Sequence, residues 1–176
     1  MIILIGESGS GKSTILELLC ERGYKKAINY TTRLPRGEEI GKNTDMIFIS
    51  KGEFESLWEE NKLLQRAEFN NEYYGLSIDS LSDDVVCISI VDSIKDIKDK
   101  IREIKSKVKT KVFYIYVPHE ERIKRMRKRG DSEETIQTKL MIDEEKFKRA
   151  REVCDYVIEN IDLDRAINEI ERLNKE

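Results

Sequence analysis

The chain has 176 residues, of which 39% are hydrophobic and 38% charged, and its formal net charge at pH 7 is −3. This length is enough to bury a hydrophobic core and is typical of a single compact domain. The acidic balance argues against a protein that wraps broadly on nucleic acid. No apolar run approaches the ~20 residues of a membrane span, and no targeting segment is expected before the first predicted strand. We therefore expect a cytoplasmic protein without a membrane partner.

The residues of redox and acid–base chemistry are sparse. The three cysteines, Cys20, Cys87 and Cys154, lie far apart without metal-binding spacing, which predicts small buried side chains in a reducing compartment. The single histidine, His119, follows a proline at a predicted helix start, where we expect a surface position. Histidine-based catalysis is therefore not expected.

The N-terminal stretch MIILIGESGSGKST contains the most informative motif. Met1 to Ile5 predicts a buried strand, and residues 6–13 match the full P-loop pattern G-x-x-x-x-G-K-[ST] before a helical pattern. Such a loop turns backbone N–H groups and a helix N-terminus toward phosphate oxygens. Lys12 is predicted to reach the β- and γ-phosphates of ATP, and Ser13 to ligate Mg²⁺. A glycine-rich turn before a capped helix is the alternative interpretation. The predicted nucleotide-binding residues here are Gly6, Ser8, Gly9, Ser10, Gly11, Lys12, Ser13 and Thr14.

The rest of the chain alternates strand-like and helix-like patterns. Alternation of this kind implies a parallel sheet covered by helices on both faces, an α/β/α sandwich of the P-loop NTPase type. Between residues 29 and 80 the pattern changes to short strands and one helix, which we interpret as an insertion with Trp58 in its core. The predicted elements are helices at 15–23, 54–58, 94–104, 122–129, 133–153 and 163–173, and strands at 46–49, 63–74, 85–91, 111–117 and 155–159.

Two basic segments suggest further phosphate contacts. Arg33 and Arg36 flank Pro35, so their guanidinium groups suit a terminal phosphate, with Tyr74 as a third donor. An ordinary surface loop is the alternative. The segment 122–129 holds six basic residues in eight, and helical spacing puts Arg122, Arg125 and Arg129 on one face. That face fits a lid over a transferring phosphoryl group, a solvated surface or a nucleic-acid patch.

At this point the chain resembles the guanylate kinase family of nucleoside monophosphate kinases along nearly its whole length. The resemblance implies transfer of the γ-phosphoryl group of MgATP to GMP. It also implies a core (1–28, 81–120 and 150–176), an acceptor-nucleotide subdomain (29–80) and a lid (121–149). The motifs that carry it are GESGSGKST at 6–14, TTRLPRGE at 31–38, IFIS at 47–50, AEFNNEYYG at 67–75, KRMRKRGDSEE at 124–134 and DYVIENIDLDRA at 155–166.

The resemblance also assigns roles to individual residues. Arg33, Arg36 and Tyr74 match positions that hold the acceptor phosphate. Arg125 and Arg129 match lid arginines, and Lys139 stands where a third is common. Asn160 matches a position near the donor adenine. The residues at base-reading positions are Asn29, Gln65 and Asp92.

Several of these positions depart from the family pattern. Gln65 replaces a carboxylate, while Leu76 and Met46 replace hydroxyl-bearing residues. Guanine offers two adjacent donors, which a carboxylate accepts as a pair, whereas an amide offers one acceptor and one donor. Such a mismatch in a buried pocket costs about 1–3 kcal/mol. The departures give the hypothesis that base specificity is altered.

The sequence leaves three other interpretations. The first is a P-loop kinase of another phosphorylated small molecule, such as ribose 1,5-bisphosphate. The second is a non-catalytic guanylate-kinase-like binding module, although the P-loop is intact. The third is a nucleic-acid-binding ATPase that uses residues 122–129, against which the acidic balance argues. We expect small-molecule nucleotide partners and a monomer or homodimer.

Overall fold

The computed structural model describes residues 1–35, 46–69 and 71–176. In chain order the strands are β1 (Ile2–Ile5), β2 (Lys25–Lys26), β3 (Asn29–Thr31), β4 (Met46–Phe48), β5 (Leu63–Phe69), β6 (Glu72–Ser77), β7 (Val85–Ile88), β8 (Lys111–Tyr116) and β9 (Tyr156–Glu159). The helices are α1 (Lys12–Glu21), α2 (Lys51–Glu59), α3 (Ile94–Glu103), α4 (His119–Lys128), α5 (Glu133–Lys146), α6 (Ala150–Val153) and α7 (Leu163–Lys175).

The core is a five-stranded parallel sheet in the order β2-β7-β1-β8-β9. Every residue of β1 is buried, because helices cover both faces of the central strand. Ile3 and Ile5 pack in the cluster that contains the apolar face of α3, whereas Ile2 and Leu4 pack in the cluster formed with α1 and α7. This arrangement confirms the predicted three-layer sandwich.

The inserted segment forms a second sheet of four strands in the order β4-β3-β6-β5. Strand β6 pairs antiparallel with both β3 and β5, and the β5–β6 register shifts between Leu63 and Gln65. Helix α2 packs on this sheet through Phe54, which is fully buried. The prediction that Trp58 belongs to the core is wrong, since Trp58 is 37% exposed and Phe54 takes the inward position.

Three predicted boundaries also change. Helix α1 begins at Lys12, directly after Gly11 in the left-handed region. The strand predicted at 63–74 is the hairpin of β5 and β6. The single helix predicted at 133–153 is two helices, α5 and α6, because the chain leaves helical geometry around Phe147, which packs against the core and stacks on Tyr114.

The functional side chains gather at one edge of the core sheet. The P-loop follows β1, Asp92 follows β7, and Asn160 follows β9, so all three lie at the carboxyl ends of parallel strands. In open α/β sheets this edge is where ligands bind. Among the described residues, no helix is long and apolar enough to cross a membrane.

Candidate active site

The P-loop has the tight backbone that its glycines permit. Gly9 and Gly11 have φ values of +79° and +88°, a region that other residues rarely adopt. A Cβ at Gly9 would lie 2.8 Å from the carbonyl oxygen of Arg122, and one at Gly11 would lie 2.5 Å from Asn160 Nδ2. Each position therefore requires glycine for two reasons. The first is the positive φ angle, and the second is the close approach of a neighbour, α4 at Gly9 and the segment after β9 at Gly11.

Lys12 lies folded over this loop. Its Nζ donates to the carbonyl oxygens of Gly6 at 2.5 Å and Glu7 at 2.9 Å, and to Ser10 Oγ at 3.3 Å. Burial lowers the pKa of Lys12 to about 8, although the carboxylates of Asp143 and Glu7 act in the opposite direction. An anion at the loop would favour the protonated form, which suits a phosphate-binding lysine.

A pocket of about 390 Å³ opens above the loop. It brings P-loop residues together with two arginines of the basic segment and with Asn160, all of which lie more than a hundred residues from the loop in the chain. At its floor, the first turn of α1 presents exposed Ser13 and Thr14. The predicted residues that line this pocket are Ser8, Gly9, Gly11, Lys12, Ser13, Thr14, Arg125, Arg129 and Asn160.

Asn160 joins three parts of this pocket. It is 2% exposed, and its Nδ2 donates to the carbonyl oxygen of Ser10 at 2.8 Å. Its own carbonyl oxygen accepts from Arg125 Nη2 at 2.8 Å. The side chain and backbone of one residue thus hold the P-loop and an arginine of α4 in fixed relation to the end of β9.

Of the other two predicted lid cations, Arg129 lines the pocket and Lys139 does not. Arg129 lines the pocket and makes a bidentate pair with Asp131 at 2.9 and 2.6 Å. The prediction that Lys139 joins these arginines is not matched by the geometry: Lys139 does not line the pocket, and its Nζ donates to Asp131 Oδ2 at 2.8 Å. Arg129, followed by Lys139, holds the pKa of Asp131 well below its usual range.

The prediction that Arg122 lies on one helix face with Arg125 and Arg129 needs correction. It is only 7% exposed, and its Nη1 lies 3.2 Å from Asp143 Oδ2 on α5. Helix α4 turns this residue inward, so Arg125 and Arg129 reach the pocket and Arg122 does not. The basic segment is therefore neither a uniform solvated face nor a row of three equivalent arginines.

A second pocket, of about 480 Å³, lies between the inserted sheet and the core. Asn29, Gln65, Tyr74 and Asp92, four of the predicted acceptor-binding residues, line it together. Met46, which departs from the family pattern, and Ile90 also line this pocket, and Leu76, another departing residue, is buried in the core. The structure thus brings the predicted base-reading residues to one place.

Gln65 is buried in this second pocket at 7% exposure. Its Oε1 accepts a hydrogen bond from Ser89 Oγ at 3.3 Å, which engages the amide oxygen within the protein. Asn29 turns its Nδ2 to the carbonyl oxygen of Ala27 at 3.2 Å. The pocket therefore contains two amides whose orientations are set by neighbouring groups.

The structure describes one of the two arginines predicted to hold the acceptor phosphate, Arg33. Arg33 Nη1 donates to the carbonyl oxygen of Leu34 at 3.1 Å, and its guanidinium lies 5.1 Å from the centre of the Phe48 ring. Neither of the two pockets is lined by Arg33. Arg36 lies outside the described residues.

Several residues of the site were not singled out from the sequence. Lys146 and Ser89 line the second pocket, and Asp143 contacts the P-loop. Lys139, Asp143 and Lys146 are four and three residues apart, so their common position on one face of α5 could have been predicted from the sequence. Nothing in the charged run 133–146 distinguishes that face from its solvated neighbours.

The sheet, the loop and the two pockets define a phosphotransferase of the P-loop class. The guanylate kinase family model matches residues 1–176. The chain belongs to the guanylate kinase family. It is 30% identical to the guanylate kinase of Synechocystis sp., an alignment that covers 98% of this chain and 92% of the relative. It is 33% identical to that of Wolbachia sp. subsp. Brugia malayi, covering 97% and 89%.

A solved structure supports the same fold. The crystal structure of guanylate kinase from Anaplasma phagocytophilum superimposes with a TM-score of 0.66 at 20% sequence identity. The similarity covers 99% of this chain and 84% of that one. This similarity confirms the predicted fold class, and the family model confirms the predicted family.

Proposed function

We propose that this chain transfers the γ-phosphoryl group of MgATP to GMP, giving ADP and GDP. The observation that carries the proposal is the pair of pockets at one edge of the sheet. One is lined by an intact P-loop and two arginines, and the other by polar groups suited to a base. Family membership supports the same activity.

On the donor side, the residues of the first pocket bind ATP. Backbone N–H groups of the P-loop face the phosphates, and Lys12 contacts the β- and γ-phosphates. Asn160 lines the same pocket, and we assign it to the adenosine because the family resemblance implies that role. Ser13 fits Mg²⁺ because its exposed hydroxyl is an oxygen donor at the start of α1. The described residues contain no cluster of three or more metal-ligating side chains. Mg²⁺ bound with the nucleotide supplies charge neutralisation between the phosphates.

On the acceptor side, Gln65, Asn29 and Asp92 contact the base, and Tyr74 donates to the phosphate. We assign Arg33 and Arg36 to the same phosphate, as the family resemblance implies. The chain divides accordingly into a core (1–28, 81–120 and 150–176), an acceptor subdomain (29–80) and a lid (121–149). Motion of these parts would bring Arg33 to the substrate, as substrate-induced closure does in other kinases.

The reaction needs no general base. An oxygen of the acceptor phosphate, already anionic, forms a bond to the γ-phosphorus, while the bond from that phosphorus to the β–γ bridging oxygen breaks and ADP leaves. Lys12, Arg125 and Arg129 stabilise the charge that develops on the transferred group. This chemistry agrees with the position of His119, which is exposed and lines neither of the two pockets. We further propose that the protein acts in the cytoplasm as a monomer or homodimer.

The test is ADP formation from MgATP with GMP, dGMP, AMP, UMP, CMP and ribose 1,5-bisphosphate supplied separately. We expect GMP to be turned over, and Lys12→Ala to lower kcat by about a hundredfold or more. Turnover of ribose 1,5-bisphosphate alone would replace GMP as the acceptor. Absence of Lys12-dependent turnover on every acceptor would instead favour a binding module.

A further inference from the structure

The carboxylate of Asp143 reaches from α5 to the P-loop. Its Oδ2 accepts from the backbone N–H of Ser8 at 2.8 Å, and its Oδ1 lies 3.4 Å from the Ser8 hydroxyl. Arg122 Nη1, from α4, donates to the same Oδ2 at 3.2 Å and lies 3.4 Å from the Ser8 carbonyl oxygen. Residues 8, 122 and 143 thus form one polar cluster beneath the phosphate pocket.

This cluster is buried although α5 is largely exposed. Asp143 and Arg122 are each 7% exposed, and Asp143 and Ile136 are the two buried residues of α5. Among the described residues, Arg122 Nε is buried without a hydrogen-bond partner. A buried ion pair of this kind is no source of stability compared with an apolar pair of similar volume. The cluster therefore calls for an explanation other than the stability of the fold.

The same cluster bears directly on the shape of the loop. Gly9, the next residue after Ser8, lies against the backbone of Arg122 at a distance that excludes any Cβ. The Ser8 N–H and carbonyl oxygen are both directed to the Arg122–Asp143 pair. The backbone before Gly9 is thus oriented by a side chain of α5, directly before the residues of the loop that line the pocket.

We propose that Asp143 is a positioning residue for ATP, which fixes the entry of the P-loop so that its following N–H groups converge on the phosphates. Arg122 balances the Asp143 charge, because an uncompensated carboxylate at this distance from the loop would repel phosphate. The inference rests on the donor half of the proposed function and is independent of the acceptor. It assigns to α5 a task in ATP binding besides any part in a lid.

The test measures the dissociation constant of MgADP by calorimetry, together with thermal unfolding, for Asp143→Ala, Asp143→Asn and the double variant Arg122→Met with Asp143→Ala. We expect Asp143→Ala to weaken MgADP binding by about tenfold, since a charge-assisted hydrogen bond to the loop is lost. Asp143→Asn retains an acceptor for Ser8 N–H and should recover part of that affinity. Glu133→Gln is the matched control. Glu133 lies on α5, like Asp143, but its carboxylate forms an exposed ion pair with Arg127 of α4, so this variant should bind MgADP with wild-type affinity.

The double variant separates positioning from stability. Removing both charges relieves the unpaired arginine and should restore the melting temperature, yet the loop remains without its acceptor and MgADP binding stays weak. If the double variant recovers both properties, or if Asp143→Ala binds MgADP as wild type does, the proposal is overturned. Should Asp143→Ala fail to fold, Asp143→Asn and the double variant decide the question. MgADP binding needs no acceptor, so failure of GMP turnover in wild type would contradict the proposed function alone.

Discussion

At the scale of single residues, Lys12 combines a charge requirement with an environment that opposes charge. Burial lowers its pKa from 10.5 to about 8, while phosphate contact favours the ammonium form. The proton needed for ATP binding is therefore lost from the folded protein at a pH where an unfolded lysine would keep it.

This residue predicts a pH dependence. We expect kcat/KM for ATP to fall above about pH 8, approaching tenfold per pH unit, because that parameter reports ionisations of the free enzyme. Saturating ATP retains the proton, so kcat should decline only at higher pH. Initial rates measured across pH 6 to 10 test this, and a flat kcat/KM profile up to about pH 10 would contradict it.

By linkage, the unfolded chain binds the extra proton between the two pKa values, so the Lys12 contribution to stability rises with pH over that range.

Gln65 predicts a change in substrate preference. The Gln65→Glu substitution gives guanine a carboxylate that accepts from both N1–H and the 2-amino group, whereas the amide accepts only one of them. We expect kcat/KM for GMP to rise by about ten- to a hundredfold, because a mismatched buried polar group costs about 1–3 kcal/mol of binding free energy. IMP, which lacks the 2-amino group, is the matched substrate and should gain less. Equal gains for GMP and IMP would show that Gln65 does not face that edge of the base.

The sequence was most informative about residues whose chemistry is tied to a local motif. Six of the eight predicted P-loop residues line one pocket together with Arg125, Arg129 and Asn160, whereas Gly6 and Ser10 do not line it. Arg122 and Lys139 do not, because their directions depend on partners, Asp143 and Asp131, that only the tertiary structure brings within reach. Charge and helical spacing alone did not distinguish a buried arginine from an exposed one.

At the scale of elements, the contact between α2 and the inserted sheet depends on the absence of a side chain at one strand position. A Cβ at Gly75 in β6 would lie 2.9 Å from Leu63 Cδ1 and 3.0 Å from Phe54 Cζ. Because these atoms belong to fully buried side chains, the neighbours have little room to shift. The helix can approach β6 this closely only at glycine.

We therefore predict that Gly75→Ala lowers the free energy of unfolding by about 1–3 kcal/mol, as overpacking does in other cores. It should also raise KM for GMP, since Gly75 lines the second pocket. Gly52→Ala is the control: a Cβ there meets no described atom within 4 Å, and alanine in α2 should stabilise by about 0.5–1 kcal/mol. Urea unfolding measures both, and an unchanged stability of Gly75→Ala would show that α2 adjusts freely.

Element boundaries were predicted less well than element types, for a physical reason. Periodicity located four of the five core strands, β1, β7, β8 and β9, and the helices between them, since buried faces repeat regularly. The two-residue strand β2 (Lys25–Lys26), whose side chains are exposed, was not predicted. The break between α5 and α6 falls at Phe147, whose ring stacks on that of Tyr114, and a contact between such distant residues leaves no local signal in the sequence. Trp58 likewise looked apolar enough for the core, but Phe54 on the same helix occupies that place.

At the scale of the whole molecule, the fold class follows from one motif and the alternation around it. A strand, a P-loop and a helix at the N-terminus fix where a nucleotide binds, and the remaining strands build the sheet outward from β1. The placement of the inserted segment against that edge was not contained in its pattern of short strands. That placement depends on contacts between the inserted sheet and the core, whose residues line the second pocket together.

The central position of β1 bears on the order in which this protein can mature. Strand β1 pairs with β7 and β8, so its first partner in the core sheet emerges with residues 85–88 and its second with residues 111–116. The phosphate loop that follows it is completed by contacts to residues 143 and 160, near the other end of the chain. Folding of such non-local pairings is slow and leaves apolar segments exposed meanwhile. The nascent chain thus carries its nucleotide-binding motif long before the residues that complete the nucleotide site have been synthesised.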